Sequence, residues 1–343
     1  MSVYLRGFTV AIFRMQRTRN ALSCGAAIVA MCAGAYSEVL LAQTFPERPL
    51  RLIVGQGPGT ATDIVARAVA AKWSEFLGQT VIVDNRPGAG ESIAADAVAK
   101  ATPDGYTTLF GSIASHGIAP AVYKRLPYDP ARDFTPISLV GTVPNVLVVN
   151  PGLPVRGISE FVAYIKTNPG RFNYGSTGIG TSTHLGMELL KARMGINIVH
   201  VPYKSGNAAF MDVIGGQVAA GLFNLPSQLP LIKAEKVRAL GVSSLKRNVQ
   251  LPDVPTIDES GAPGYEVVVW YAMFAPAGTP RTIHVRLHAE LVKAINSSEL
   301  RERMAGQLGV DPITSTPDQL AQYSRTEIAK WSKVAQEAGV KAE

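Results

Sequence analysis

Leu50-Arg51-Leu52-Ile53-Val54 is followed by Gly55-Gln56-Gly57-Pro58-Gly59-Thr60-Ala61-Thr62, and then by the stretch from Ile64 to Leu77. The first run is apolar and rich in β-branched residues, so it predicts a strand. The second is a Gly-rich turn. In the third, Ile64, Val65, Ala68, Val69, Lys72 and Trp73 share one stripe at helical spacing. Strand, turn and helix in that order are the opening of a βαβ unit.

The same grammar continues downstream. Thr80-Val81-Ile82-Val83 predicts a second strand, 92–101 a helix and Thr107-Thr108-Leu109-Phe110 a third strand. After the apolar run 143–149 the alternation starts again: helix 158–168, strand Asn173-Tyr174-Gly175, helix 182–194, strand Ile198-Val199-His200-Val201, helix 208–214 and strands at 219–223 and 237–242. The run 267–274 is strand-like, and 284–295 and 318–338 have helical spacing. Strands alternating with helices imply an α/β protein with a mainly parallel sheet. The runs 143–149 and 267–274 carry no turn residue except Pro144. They are expected to cross between two domains, one made of 43–143 plus 269–343 and the other of 144–268. Two domains suit a chain of 343 residues.

Residues 1–42 differ from the rest. Arg6, Arg14, Arg17 and Arg19 precede an apolar run from Ala21 to Ala35, and small residues lead to Ala42. That is the layout of a cleaved signal peptide. At about 15 residues the run is short of the ~20 needed to span a bilayer. Cleavage is expected after Ala42, with Ala35 as the alternative, and Met15 is a candidate start. Both cysteines, Cys24 and Cys32, lie in this leader. The mature chain therefore has no disulfide, thiolate nucleophile or Cys–metal site. The formal charge of +7 comes from 33 basic and 26 acidic residues, and the leader holds four Arg and Glu38, so 29 basic and 25 acidic residues remain. No Lys/Arg cluster is interleaved with aromatics, which argues against a nucleic-acid partner.

The turn quoted first has a double. Gly57-Pro58-Gly59-Thr60-Ala61-Thr62 and Gly178-Ile179-Gly180-Thr181-Ser182-Thr183 both read G-x-G-T-x-T at a strand-to-helix junction. Glycine lets backbone and ligand come close. Thr caps a helix, and a helix N-terminus favours a carboxylate or phosphate. One such loop reads most simply as a turn and cap. Two of them, one per expected domain, predict a clamp on a small anion.

Chemistry has little support. G-x-G-x-x-G fails at Thr60, and Pro58 removes a donor, so a degenerate dinucleotide site of an NAD-dependent dehydrogenase remains only as the alternative. No G-x-S-x-G pentapeptide is present. His284 and His288 share a helix face with no third ligand, which reads as an exposed face. His116, after Ser112 and Ser115, and His184, after Thr183, are either ligand contacts or local caps. His200, in an apolar strand, reads as structural, and Trp270-Tyr271 as core or cleft wall. No enzyme activity, metal or cofactor is expected.

A set of motifs in order supports a closer reading. They include Gly59-Thr-Ala-Thr-Asp-Ile-Val-Ala-Arg67, Val83-Asp-Asn-Arg-Pro-Gly-Ala-Gly90, Leu126-Pro-Tyr-Asp-Pro130, Pro144-Asn-Val-Leu-Val-Val-Asn150, His200-Val-Pro-Tyr-Lys204, Leu251-Pro-Asp-Val-Pro-Thr256 and Ala275-Pro-Ala-Gly-Thr-Pro280. From about Phe45 to the C-terminus the chain resembles the Bug family, TctC-like solute receptors of tripartite tricarboxylate transporters. The resemblance implies a type II periplasmic binding-protein fold: two α/β domains, a two-stranded hinge and a cleft that closes on ligand. It also implies a periplasmic, monomeric receptor for a carboxylate (a di- or tricarboxylate, an amino acid or an aromatic acid), delivered to membrane transporter subunits or a sensor. The family's anion loops map to 55–63 and 176–183, with Asp63 expected to cap the first helix.

The residues expected to carry the anion are Gly55, Gln56, Gly57, Gly59, Thr60, Thr62, Ser176, Thr177, Gly180, Thr181 and Ser182. Ser112, Ser115, His116, Tyr203, Phe223 and Asn224 are expected to shape the rest. Three positions depart from the family pattern. The first loop reads Gly55-Gln-Gly-Pro-Gly-Thr60 in place of Pro-Phe-x-Pro-Gly-Gly, Phe223 stands where Asp is common, and Glu91-Ser92 replaces Gly-Asn. If position 223 lines the cleft, an acidic contact has become apolar, which would suit an aromatic or otherwise less cationic ligand.

Overall fold

A computed structural model describes residues 45–340. The expected leader, its cleavage site and both cysteines lie outside them. From Arg48 onward the chain forms one compact unit. Its strands are β1 (Leu50–Val54), β2 (Val81–Asn85), β3 (Thr107–Ser112), β4 (Phe134–Val149), β5 (Asn173–Ser176), β6 (Val199–Pro202), β7 (Ala220–Asn224), β8 (Arg238–Val242), β9 (Val268–Pro276) and β10 (Asp311–Pro312). They hydrogen-bond in the order β2-β1-β3-β9-β4-β7-β5-β6, with β8 and β10 added along β4.

The two ends of this sheet are parallel. β1 lies between β2 and β3, and β5 lies between β6 and β7, all in parallel. The middle is antiparallel, because β9 runs against β3 and β4, and β4 runs against β7 and β8. The sheet is thus mixed, not mainly parallel: parallel strands need helical crossovers, and only the two wings have them.

β4 and β9 are the runs expected to cross between the halves. β9 matches its expectation closely. β4 begins nine residues earlier than the apolar run 143–149 suggests. Pro136, Ser138, Gly141 and Pro144 hide its first half in the sequence. Two register shifts, between Pro136 and Ser138 and between Leu139 and Gly141, let it stay paired with β9. Its second half is fully buried, from Val146 to Val149.

The first helix, Ala61–Leu77, shows why the opening sequence folds as it does. Thr60 is its N-cap and Gly78, at φ 71°, its C-cap. Val65, Ala68, Val69 and Trp73 of the expected stripe are buried, whereas Lys72 is half-buried and pairs with Glu75. At the other end of the chain the Pro317–Glu337 helix opens on a capping box between Thr316 and Gln319. It packs against β4 and the turn at 114–118. Its Glu327 accepts hydrogen bonds from two buried indoles, Trp270 and Trp331, each at 3.0 Å. Trp270 and Tyr271 are therefore core. His284 and His288 are half-buried and not an exposed face: their Nε2 atoms bond the carbonyl oxygens of Pro136 (2.7 Å) and Ser315 (3.0 Å).

Glu327 is the only acceptor shown for two buried indole N–H groups. Glu327→Leu strands both, and a loss of about 2–4 kcal/mol is expected. Glu327→Gln keeps a carbonyl oxygen and should lose less. Urea unfolding followed by tryptophan fluorescence measures the difference.

Candidate functional site

The carboxyl ends of the parallel strands of both wings converge. Gly55 and Gln56 follow β1, Pro87 to Glu91 follow β2, Thr177 to Ile179 follow β5, and Pro202 to Lys204 end and follow β6. With Tyr123 and Ile93 they enclose a cleft of about 760 Å³. Open α/β sheets bind ligands at this end of their strands. A smaller groove of about 320 Å³, lined by Pro151, Ile232 and Arg238 among others, does not draw on strand ends from both wings.

The two G-x-G-T turns fold alike. Gly59 (φ 78°) and Gly180 (φ 76°) are both left-handed. In each turn the threonine hydroxyl donates to a glycine carbonyl three residues back: Thr60 to Gly57 at 2.8 Å and Thr181 to Gly178 at 2.7 Å. Both threonines are the extended N-caps of the helices that follow, Ala61–Leu77 and Ser182–Met194. Asp63 is not the cap itself. It reaches back to accept from the Gly59 N–H at 2.9 Å. Burial works against the Asp63 charge, but Arg67, the Gly59 N–H and Asn85 hold its carboxyl below the usual range.

Each turn rests on the opposite wing. The Asn207 side chain donates to Pro58 O at 3.1 Å, and the Tyr123 hydroxyl to Ile179 O at 3.2 Å. A Cβ placed on Gly59 would sit 3.2 Å from Asn207 Nδ2, and one on Gly180 would sit 3.0 Å from the Tyr123 ring. The cleft is therefore bounded by two contacts between the wings, and the approach to Gly59 that a dinucleotide would use is filled by Asn207.

The floor on the β1 side holds a carboxylate. Glu91 is buried, and both its oxygens accept: Gln56 Nε2 donates to Oε1 at 3.1 Å and Ser112 Oγ to Oε2 at 2.6 Å. Burial pushes its carboxyl up to about 7, against the opposing effect of Ser112, Gln56 and Ser115. On the β5 side the loop is built of hydroxyls and backbone. Thr177 N and Oγ1 bond Thr183 Oγ1 at 2.9 and 3.0 Å, and Gly178 N donates to Ser176 Oγ at 3.2 Å. Behind it lie two stacked histidines, His184 and His200, with ring centroids 4.1 Å apart. His200 Nε2 meets Ser176 Oγ at 2.7 Å, and Gly180 N donates to His184 Nδ1 at 3.4 Å. Lys204, exposed, is the cation at the rim.

Residues 65–340 match the model of the tripartite tricarboxylate transporter family receptor, TctC. The chain belongs to this receptor family. Protein BugT of Bordetella pertussis is 38% identical over 301 residues, 88% of this chain and 92% of BugT. The structure of R. palustris Rpa4515 with adipate superposes with a TM-score of 0.84 at 37% identity, covering 87% of this chain and 99% of that one. The periplasmic binding protein BugD gives 0.84 at 36%, covering 87% of this chain and all of BugD's. The fold is that of the periplasmic binding proteins. Among the described residues no helix is long and apolar enough to cross a membrane, and no cluster of His, Cys, Asp and Glu could hold a metal ion.

In this receptor the expected site residues divide into three groups. Gly55, Gln56, Thr177 and Tyr203 line the cleft. Gly57, Gly59, Thr60, Ser176, Gly180 and Thr181 form the two turns beside it, with hydroxyl protons of Thr60 and Thr181 already donated within the turn. Thr62 and Ser182 are buried in the first turns of their helices. Ser112 fixes Glu91, and Ser115 bonds the Ser112 N–H at 3.2 Å. His116 lies deeper, stacked on Phe274 at 3.9 Å, and burial holds its pKa down at about 3. Phe223 is fully buried edge-on to Phe210, and Asn224 bonds Asn145, so neither lines the cleft. The loss of an acid at position 223 thus says nothing about the ligand. Glu91, Tyr123, Ile179 and Lys204 line the cleft and were not among the expected residues. Glu91 and Lys204 lay in or beside quoted motifs, but spacing alone gave them no role.

The histidine pair makes the receptor acid-sensitive. Burial lowers His184 to about 4 and His200 to about 3, Lys191 adds to both and His184 adds to His200, whereas Glu188 opposes the shift at His184. Below pH 6.5 the unfolded chain takes up protons that these folded rings refuse. The pair's contribution to stability is therefore complete above about 6.5 and is lost as the pH falls from there towards the folded values. His200→Gln, which can keep the bond to Ser176, should flatten the fall between pH 6.5 and 4. Melting temperatures of the two proteins across that range check it; equal slopes would refute it.

Proposed function

We propose that the chain is a periplasmic receptor, exported on the 1–42 leader, that closes over a small carboxylate and presents it unchanged to a tripartite tricarboxylate-type transporter or a sensor. The observation that carries this reading is the cleft itself: loops at the carboxyl ends of parallel strands from both wings enclose one space, with Thr177, Gly178, Ile179 and Lys204 on the β5 side. Membership of the receptor family and the adipate held by Rpa4515 support the ligand class.

In this reading the halves 43–143 plus 269–343 and 144–268 are the two domains, and β4 and β9 are the hinge strands. Closure brings Tyr123 to Ile179 and Asn207 to Pro58. A hinge-closing receptor is stabilised by a ligand that bridges both sides. The carboxylate meets Thr177, the Gly178–Ile179 backbone and Lys204. No group in the cleft is set up as a nucleophile beside a base, so the ligand leaves as it entered.

A thermal-shift screen of mono-, di- and aromatic carboxylates tests this. A carboxylate at a hundredfold excess over its Kd adds about 2.7 kcal/mol, so a rise of several degrees is expected. Nicotinamide cofactors should give none. Lys204→Met, at an exposed position, should leave the unliganded melting temperature unchanged and weaken carboxylates several-fold. A response to cofactors alone would refute the receptor reading.

A further inference from the structure

Glu91 sits on a backbone that other residues avoid. Ala89, Gly90 and Glu91 have φ of 45°, 58° and 72°, three left-handed residues in succession, two of them carrying a Cβ. Such residues are strained and gather at functional sites. The neighbouring chain accommodates this one: a Cβ on Gly55 would lie 2.5 Å from Glu91 Cβ, so only glycine lets the side chain through.

The carboxylate so placed is not used elsewhere. It precedes the Ser92–Ala99 helix without capping it. Its bonded partners, Gln56 and Ser112, are neutral donors, one to each oxygen. Burial opposes its ionised form and brings the carboxyl up to about 7, while the donors to both oxygens favour that form. Buried charges are normally paired, yet no salt bridge to Glu91 exists among the described residues. Glu91 lines the cleft. Lys204, its opposite in charge, stands on the other wall with the Thr177–Ile179 loop. The walls thus present a negative end on the β1 side and a positive, hydroxyl-rich end on the β5 side.

We infer that Glu91 is the specificity-determining residue of the cleft and selects a zwitterion, a carboxylate that also carries a protonated amine, with the amine at Glu91 and the carboxylate at the Thr177–Ile179 loop and Lys204. This rests on the carboxylate reading above. The ligand's ammonium supplies the missing counter-charge. A second carboxylate in that place would face Glu91 as a like charge, so the plain dicarboxylate of the same length is rejected.

Isothermal titration at pH 8 with matched series tests it: ε-aminohexanoate, adipate and hexanoate, then γ-aminobutyrate, succinate and butyrate. The wild type should bind the amino acid of the better-fitting series at least tenfold more tightly than its diacid, the size of a charged hydrogen bond. Glu91→Gln should reverse that order, weakening the amino acid and strengthening the diacid. Glu91→Ala, with circular dichroism to confirm folding, should lose the preference for the amino acid without reversing it. Wild type binding the diacid as well as or better than the amino acid, or Glu91→Gln leaving the ratio unchanged, would overturn the assignment while leaving the carboxylate reading intact. Binding of none of the six, nor of any other carboxylate, would overturn both.

Discussion

The antiparallel pairing of Phe134–Val149 with Val268–Pro276 sets the rest of the molecule in place. Phe134–Val149 runs through both wings: its first part pairs with β9, which pairs in turn with β3, and its last part pairs with β7, so each wing's parallel strands run against this central pair. The carboxyl ends of β1 and β5 consequently open onto one shared space. Two register shifts in β4 lie in the part paired with β9 and a third, at Leu147–Val148, in the part paired with β8, where the strand bends without losing its ladder.

Two identical turns then give the cleft its edges. The left-handed glycine, the threonine cap and the hydroxyl bond to the preceding glycine carbonyl recur in both wings with almost the same geometry. Their hydroxyls hold the turns in shape, and their outer surfaces meet the opposite wing. The cleft lies beside them, between Gln56 and Glu91 on one side and Thr177, Ile179 and Lys204 on the other. Behind the second turn, the neutral His184–His200 stack supports Ser176 and the Gly180 N–H without adding charge.

Much of this was legible in the sequence. The strand–turn–helix grammar is carried by local preferences: β-branched runs, Thr60 and Thr181 as caps, and apolar stripes such as Val65–Val69–Trp73. The first half of β4 was not legible, because Pro136, Ser138 and Gly141 look like turn residues and only the pairing with β9 overrides them. In the site, Gln56, Thr177 and Tyr203 could be placed because they sit where strands end. Which acceptor takes a hydroxyl proton cannot be read from residue type, so Thr60 and Thr181 were expected to face the ligand and instead close their own turns. Glu91 was the hardest to read. Its place depends on a left-handed backbone, on the missing side chain of Gly55 and on burial, none of which leaves a pattern in the sequence. Phe223 illustrates the converse: a change of residue type that looked chemical is a packing contact with Phe210.

The most direct measurement is a crystal structure of the receptor with its tightest-binding carboxylate. Density for the ligand is expected between Gln56 and Glu91 on one wall and Thr177, Ile179 and Lys204 on the other, with the ligand chemically intact and the Tyr123–Ile179 and Asn207–Pro58 contacts closed over it. Density elsewhere, for example in the groove beside Pro151 and Arg238, or a chemically altered ligand in the cleft, would contradict a receptor that binds between its two wings and does no chemistry.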